Sequence, residues 1–157
     1  MAEQNQIWTI GRILKWTEQY FGQKGIESPR LDAEVLLSHV LGKQRIYLYV
    51  HFDEPLQAEE LALYRAMIRQ RVEHVPVAYI LGQQGFWKLD LEVAPHTLIP
   101  RPDTELLVEA ALELLPATPC TVLDLGTGSG AIALALASER PAWKVTAVDR
   151  VPEAVAL

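Results

Sequence analysis

The run Val122-Leu123-Asp124-Leu125-Gly126-Thr127-Gly128-Ser129-Gly130 sets an apolar strand, an acidic residue and three alternate glycines side by side and then opens into a helix, Ala131 to Glu139. Glycines at this spacing let the backbone turn sharply out of a strand and approach a ligand closely, where side chains would collide with it. The helix that follows points its free N–H groups and positive dipole end at the same spot, so an anionic group is expected to dock there. A second strand, Lys144 to Val148, ends at Asp149, about 20 residues beyond the loop, where a carboxylate can accept hydrogen bonds from two ribose hydroxyls. The expectation is a strand-loop-helix-strand unit that binds a nucleotide-like ligand.

Gly126, Gly128 and Ala131 satisfy the dinucleotide fingerprint G-x-G-x-x-G/A loosely. The fuller pattern is D-x-G-x-G-x-G, from Asp124 to Gly130. It resembles the first motif of S-adenosylmethionine-dependent methyltransferases with a doubly wound sheet. That resemblance implies that Gly126, Thr127, Gly128, Ser129 and Gly130 hold the methionine end of S-adenosyl-L-methionine, and that Asp149 holds its ribose. Ser129 lacks the G-x-S-x-G frame of a hydrolase elbow.

Working back toward the start, the first eighty or so residues read as helices. Ile7, Ile10, Ile13, Leu14, Thr17 and Phe21 recur at helical spacing before Gly22 and Gly25. Ser28-Pro29 supplies an N-cap and a first-turn proline for a second helix with Leu31, Val35, Leu36, Val40 and Leu41 on its apolar side, closed by Gly42. After a short apolar stretch at 46–50, a further helix over residues 57–73 carries Leu61, Tyr64, Met67 and Ile68 on one stripe. Beyond Pro76 the pattern changes: Val77 to Leu81 and residues 86–93 read as strands of a hairpin. Leu98-Ile99-Pro100-Arg101-Pro102-Asp103-Thr104-Glu105 then makes a stiff approach to another helix, with Asp103 and Glu105 placed to stabilise its N-terminus. The expected fold class is therefore α/β: a small all-α N-terminal bundle (1–76), a β-hairpin linker (77–98) and the first part of a doubly wound, Rossmann-like domain (99–157).

Composition narrows the function. The 157 residues are half apolar, enough to bury a real core, and no stretch approaches the ~20 apolar residues of a membrane span. The start, Met1-Ala2-Glu3-Gln4-Asn5, lacks the basic and apolar regions of a signal peptide, so a cytoplasmic location is expected. Cys120 has no cysteine to pair with, and His39, His51, His74 and His96 show no metal-ligand spacing, so no metal is expected. Net charge is −6, which disfavours direct nucleic-acid binding. Arg65, Arg69 and Arg71 cluster locally and read as the solvated face of a helix.

Taken together, S-P-R-L-D-A-E-V-L-L-S-H-V-L-G (28–42), P-V-A-Y-I-L-G (76–82), G-F-W (85–87), L-I-P-R-P-D-T-E (98–105) and D-L-G-T-G-S-G (124–130) are similar to the HemK/PrmC enzymes. The resemblance implies methylation of the glutamine side-chain amide of peptide chain release factors, with the release factor as partner and the ribosome reached through it. Two departures stand out: Gly85 where the family commonly has glutamate, and His74-Val75-Pro76 in place of Gly-Glu-Pro. The family's substrate motif, Asn-Pro-Pro-Tyr, does not occur, and a whole domain of this class needs about five further strands. The chain therefore reads as a front half, inactive by itself, with no catalytic residue to name in it. Two other readings remain open on the residues: a fragment of a nucleic-acid methyltransferase, and a non-catalytic module that binds a release factor or the ribosome.

Overall fold

The computed structural model describes residues 7–157, and the N-terminal run read as lacking a leader falls outside them. The chain divides into two compact units, one ending at Leu81 and the other spanning Gly82–Leu157.

The first unit is built from five helices: α1 (Ile10–Gln23), α2 (Pro29–Leu41), α3 (Arg45–Val50), α4 (Ala58–Val72) and α5 (Val77–Leu81). The Thr9 hydroxyl caps α1 by accepting from the Arg12 N–H, and Gly42, at φ +61, ends α2 in the left-handed conformation that glycine adopts without strain. Ser28 sits at the α2 N-cap position, but its side chain makes no capping bond. Ile10, Ile13, Leu14 and Phe21 of α1 meet Leu36 and Leu37 of α2, Leu48 of α3, and Tyr64 and Ile68 of α4 in one core.

Two expectations change here. Val77–Leu81 is helix, not strand: the Pro76 carbonyl accepts from the N–H groups of Tyr79 and Ile80, and Ala78 is buried. Packing against α2 and α4 overrides the local β preference of a short apolar run. On α2 the buried face is Ala33, Leu36 and Leu37 with Glu34, whereas Leu31 points outward at 45% exposure.

Glu34 is the unexpected core residue, its side chain 1% exposed. Its Oε2 accepts from Arg45 Nη2 at 2.7 Å, and its Oε1 from Tyr49 Oη at 2.5 Å and from Arg30 Nε. Burial alone would raise its pKa, yet Tyr49, Arg45 and Arg30 together hold it below the ordinary value. Arg71 differs from the solvated arginine expected: its Nε donates to Asp32 Oδ2 at 2.8 Å, and both side chains are largely buried. The end of α4 bears on the second departure, at His74-Val75-Pro76. Val75 N–H bonds the Gln70 carbonyl and His74 N–H the Arg71 carbonyl, a Schellman closure that puts His74 at φ +61, where glycine fits without strain.

In the second unit β1 (Gln83–Phe86) and β2 (Leu89–Glu92) form an antiparallel hairpin with its turn at Trp87 and Lys88, inside the segment read as one strand. Trp87 takes a positive φ of 58°, and its N–H donates to Glu105 Oε1 at 2.7 Å while its indole N–H donates to Glu139 at 2.8 Å. Glu105, at the start of α6 (Glu105–Leu114), thus holds the hairpin turn as well as standing at a helix N-terminus. β3 (Thr121–Leu125) and β4 (Lys144–Val148) pair in parallel through α7 (Ala131–Glu139), and α8 (Pro152–Val155) follows. Phe86, Leu91, Val108, Ala135, Leu136 and Trp143 make this unit's core, with Cys120 half-buried against it. Leu123, Leu125 and Val148 remain exposed. No described helix is long and apolar enough to cross a membrane.

Glu34→Gln removes the charge that three donors share. It should destabilise the helical unit by about 2 kcal/mol, less than a wholly buried pair because the arginines can rehydrate. Since folding lowers the Glu34 pKa, its stabilisation is present above the ordinary 4.5 and is lost as pH falls through the lower folded value. Denaturant melts should therefore show a steeper acid decline for the parent than for the variant; parallel curves would contradict this. His74→Gly should stabilise by about 0.5 kcal/mol, the relief of left-handed strain exceeding the added unfolded-state freedom. A lower melting temperature would contradict it.

Candidate functional site

The glycine loop is shaped by the register of the parallel pair. Leu125 lies opposite Val148, so the chain leaves β3 level with the end of β4, and the Val148 carbonyl accepts from both Gly126 N–H (2.8 Å) and Thr127 N–H (3.0 Å). Gly126, Gly128 and Gly130 all take positive φ, at 77°, 57° and 77°. A side chain at Gly126 would meet nothing within 4 Å, so this glycine serves backbone conformation and leaves open space above the loop. At Gly128 a Cβ would stand 4.0 Å from the Leu98 nitrogen, which puts the 98–105 approach segment beside the loop.

Two carboxylates brace this turn. Thr127 Oγ1 donates to Asp124 Oδ2 at 2.7 Å, closing the loop onto its own strand. From the end of β4, Asp149 Oδ2 accepts the Gly128 N–H at 2.9 Å and Oδ1 accepts the Val151 N–H at 3.0 Å. The N–H groups of Val151 and Gly128 hold the Asp149 carboxyl below its ordinary value, so it is ionised at neutral pH. The sequence leads to the expectation that Asp149 accepts from ribose hydroxyls. The structure shows it as a tether of the loop, and a carboxylate has lone pairs left for further donors.

Gly130 occupies the N-cap of α7 and offers no side chain to cap it. Among the described residues the N–H groups of Ser129, Ala131, Ile132 and Ala133 find no acceptor, a cluster of donors at a positive dipole end suited to a carboxylate or phosphate. A cavity of about 220 Å³ opens against Thr127, Gly128, Ser129 and Gly130, walled by Leu134 and Ala154. Asp149 reaches the loop through Gly128 and is not part of that wall. The cavity suits one end of a nucleotide-sized ligand, since whole ligand pockets run from about 300 Å³ upward.

Gly126, Thr127, Gly128, Gly130 and Asp149 are thus tied together by hydrogen bonds, and Ser129 lies in the same loop with its N–H uncommitted. Asp124 joins them through Thr127, and Leu98 of the 98–105 stretch lies beside Gly128; only side-chain and backbone geometry shows what the two touch. Asp103 lies in the 3-10 turn before α6 and makes no bond to the loop. Among the described residues no group of His, Cys, Asp and Glu is arranged to hold a metal ion.

Residues 12–82 match the PrmC N-terminal domain, and residues 102–157 match the methyltransferase small domain. A protein of Geobacter sulfurreducens named release factor glutamine methyltransferase is 49% identical over all 157 residues, which cover 55% of its length. Proteins of the same name from Escherichia coli and Pseudomonas aeruginosa are 50% identical over 143 residues and 64% identical over 130. Those alignments take in 90% and 83% of this chain, and 52% and 47% of the relatives. The chain spans about half the length of the curated relatives it matches.

Left-handed strain should dominate the cost of filling the loop. Gly126→Ala is expected to destabilise the second unit by about 1–2 kcal/mol. Gly130→Ala should cost more, because a Cβ there lies 3.2 Å from Leu134 Cδ1 and that side chain must shift. Urea unfolding followed by tryptophan fluorescence ranks the two, and a neutral Gly126→Ala would show that the positive φ is not needed.

Proposed function

We propose that the chain, whose residues 12–82 match the PrmC N-terminal domain and residues 102–157 the methyltransferase small domain, is the recognition domain and first cofactor half of an enzyme that methylates the glutamine side-chain amide of peptide chain release factors. The cofactor would be S-adenosyl-L-methionine, which supplies an electrophilic methyl group. The observation that carries the reading is the donor set at the loop: uncommitted N–H groups of Ser129 and the first turn of α7, beside a glycine turn that Asp149 holds open.

In this proposal the methionine carboxylate takes those N–H groups, an anion at a helix N-terminus. The residues present fit that group, because the donors are backbone N–H, the space above Gly126 is clear, and the first turn of α7 carries no acidic residue. Asp149 keeps its loop bonds and accepts from the ribose hydroxyls with its remaining lone pairs. An amide nitrogen is a poor nucleophile because resonance ties up its lone pair. Catalysis in this class therefore rests on aligning the amide with the methyl group, and the residues that the family uses for that alignment have no counterpart in these 157 positions. The division of labour we propose is residues 1–76 for substrate recognition, 77–98 as linker and 99–157 for the cofactor, in a cytoplasmic protein.

Titration calorimetry with S-adenosylmethionine tests the site. Asp149→Ala should lower affinity about ten- to a hundredfold, since it removes a charged acceptor. Asp149→Asn should be intermediate, its one amide oxygen serving either Gly128 or Val151 but not both. Thermal melts separate loss of the site from loss of the fold. An unchanged affinity with an unchanged melt would remove Asp149 from the site.

The 157-residue chain incubated with labelled cofactor and a release factor should bind without transferring methyl, whereas the extended protein should transfer it to a glutamine. Transfer by the short chain, above a Gly128→Val control, would overturn the assignment of the aligning groups to residues outside it.

A further inference from the structure

The helical unit carries a groove that the cofactor reading leaves unused. Trp16 and Tyr20 of α1 stack with ring centroids 5.1 Å apart and planes 22° from parallel, and Trp8 meets Trp16 edge-on at 6.3 Å. Opposite them stand Arg65 and Arg69 of α4, one helical turn apart, with Ile68 as the floor; together these enclose a groove of about 330 Å³. Lys24 lies 5.7 Å from the Tyr20 ring and adds a third cation at one end.

What singles this groove out is the state of its arginines. Arg30, Arg45 and Arg71 are each bound to a carboxylate of the unit, and Arg12 donates to the Ile7 carbonyl. Among the described residues the side chains of Arg65 and Arg69 have no ion-pair or hydrogen-bond partner. Trp16 beside them is 43% exposed, a large apolar surface kept in water. Two free guanidinium forks one turn apart can each take a carboxylate bidentately, and the aromatic wall can take a planar or apolar side chain between them.

We infer that the Trp16–Tyr20/Arg65–Arg69 groove docks an acidic peptide segment of a protein partner, with carboxylates on the arginines and one apolar or aromatic side chain against Trp16 and Tyr20. A nucleic-acid strand would find the same stacking wall, but it needs a tract of cations along its backbone. Here the cations are two arginines and Lys24, on a chain of net charge −6. The groove lies wholly within the helical unit, so it holds whether or not the glycine loop carries a cofactor.

The probe is a synthetic peptide with phenylalanine between short runs of glutamate, titrated into the isotope-labelled 157-residue chain. The Trp16 indole N–H and the Arg65 and Arg69 Nε–H signals are followed by NMR. Those signals should shift first and saturably, and affinity should fall as salt rises. Arg65→Gln with Arg69→Gln should weaken binding about tenfold or more while leaving the melt unchanged, both residues being exposed. Trp16→Ala should weaken it while leaving the salt dependence. The inference is overturned if these signals do not move, if the peptide with glutamine in place of glutamate binds equally well, or if shifts centre elsewhere. Tighter binding of a uridine oligonucleotide at the same signals would overturn it in favour of a nucleic-acid surface.

Discussion

The carboxylate of Asp149, accepting from Gly128 and Val151, fastens the glycine loop to the end of the parallel pair, and the second unit's candidate site follows from that fastening. It is possible only because β3 and β4 run level, Leu125 against Val148. A slip of one residue would carry Val148's carbonyl away from Gly126 and Thr127 and turn alternate side chains to the other face. The same register delivers α7 with Gly130 at its N-cap. Loop shape, donor direction and carboxylate position are thus consequences of one pairing, not separate features.

A second carboxylate organises the helical unit by the opposite route. Asp149 is bonded by backbone N–H groups near the surface, whereas Glu34 is buried and bonded by side chains from α2 and α3. Taking a carboxylate out of water costs several kcal/mol unless its lone pairs are filled. Arg30, Arg45 and Tyr49 fill them, and Arg30 also reaches Glu18 of α1, so one buried acid fixes how three helices meet. The apolar core around it is less selective, since Leu and Ile tolerate repacking where a charged network does not.

The glycine loop was legible because positive φ demands a residue type, and helix α4 because Tyr64 and Ile68 recur on one face. Glu34, Arg71 and Trp87 were not. Glu34 sits among apolar neighbours in the sequence, and its donors lie 4, 11 and 15 positions away, which no local pattern reveals. Arg71 looks like its neighbours Arg65 and Arg69 until Asp32 arrives from another helix. The hairpin turn was hidden because Trp87 and Lys88 are not turn formers; Glu105 and Glu139 hold them there. Val77–Leu81 is too short for periodicity to decide, and its neighbours α2 and α4 decide it instead. Sequence shows what backbone conformation requires of a residue, and misses what a distant partner supplies.

That distinction also governs how charge should be read. The net −6 argues against a cationic surface, yet it counts acids that already hold a counter-charge: Glu18, Asp32, Glu34 and Glu139 are paired with basic side chains. A paired acid projects little field beyond its partner, particularly at physiological salt where screening sets in within about 8 Å. The field a partner meets comes from groups left without counter-charges. In the groove between α1 and α4 those are Arg65 and Arg69, so the local sign beside Trp16 is positive on a chain whose sum is negative, and the site's preference follows the local sign.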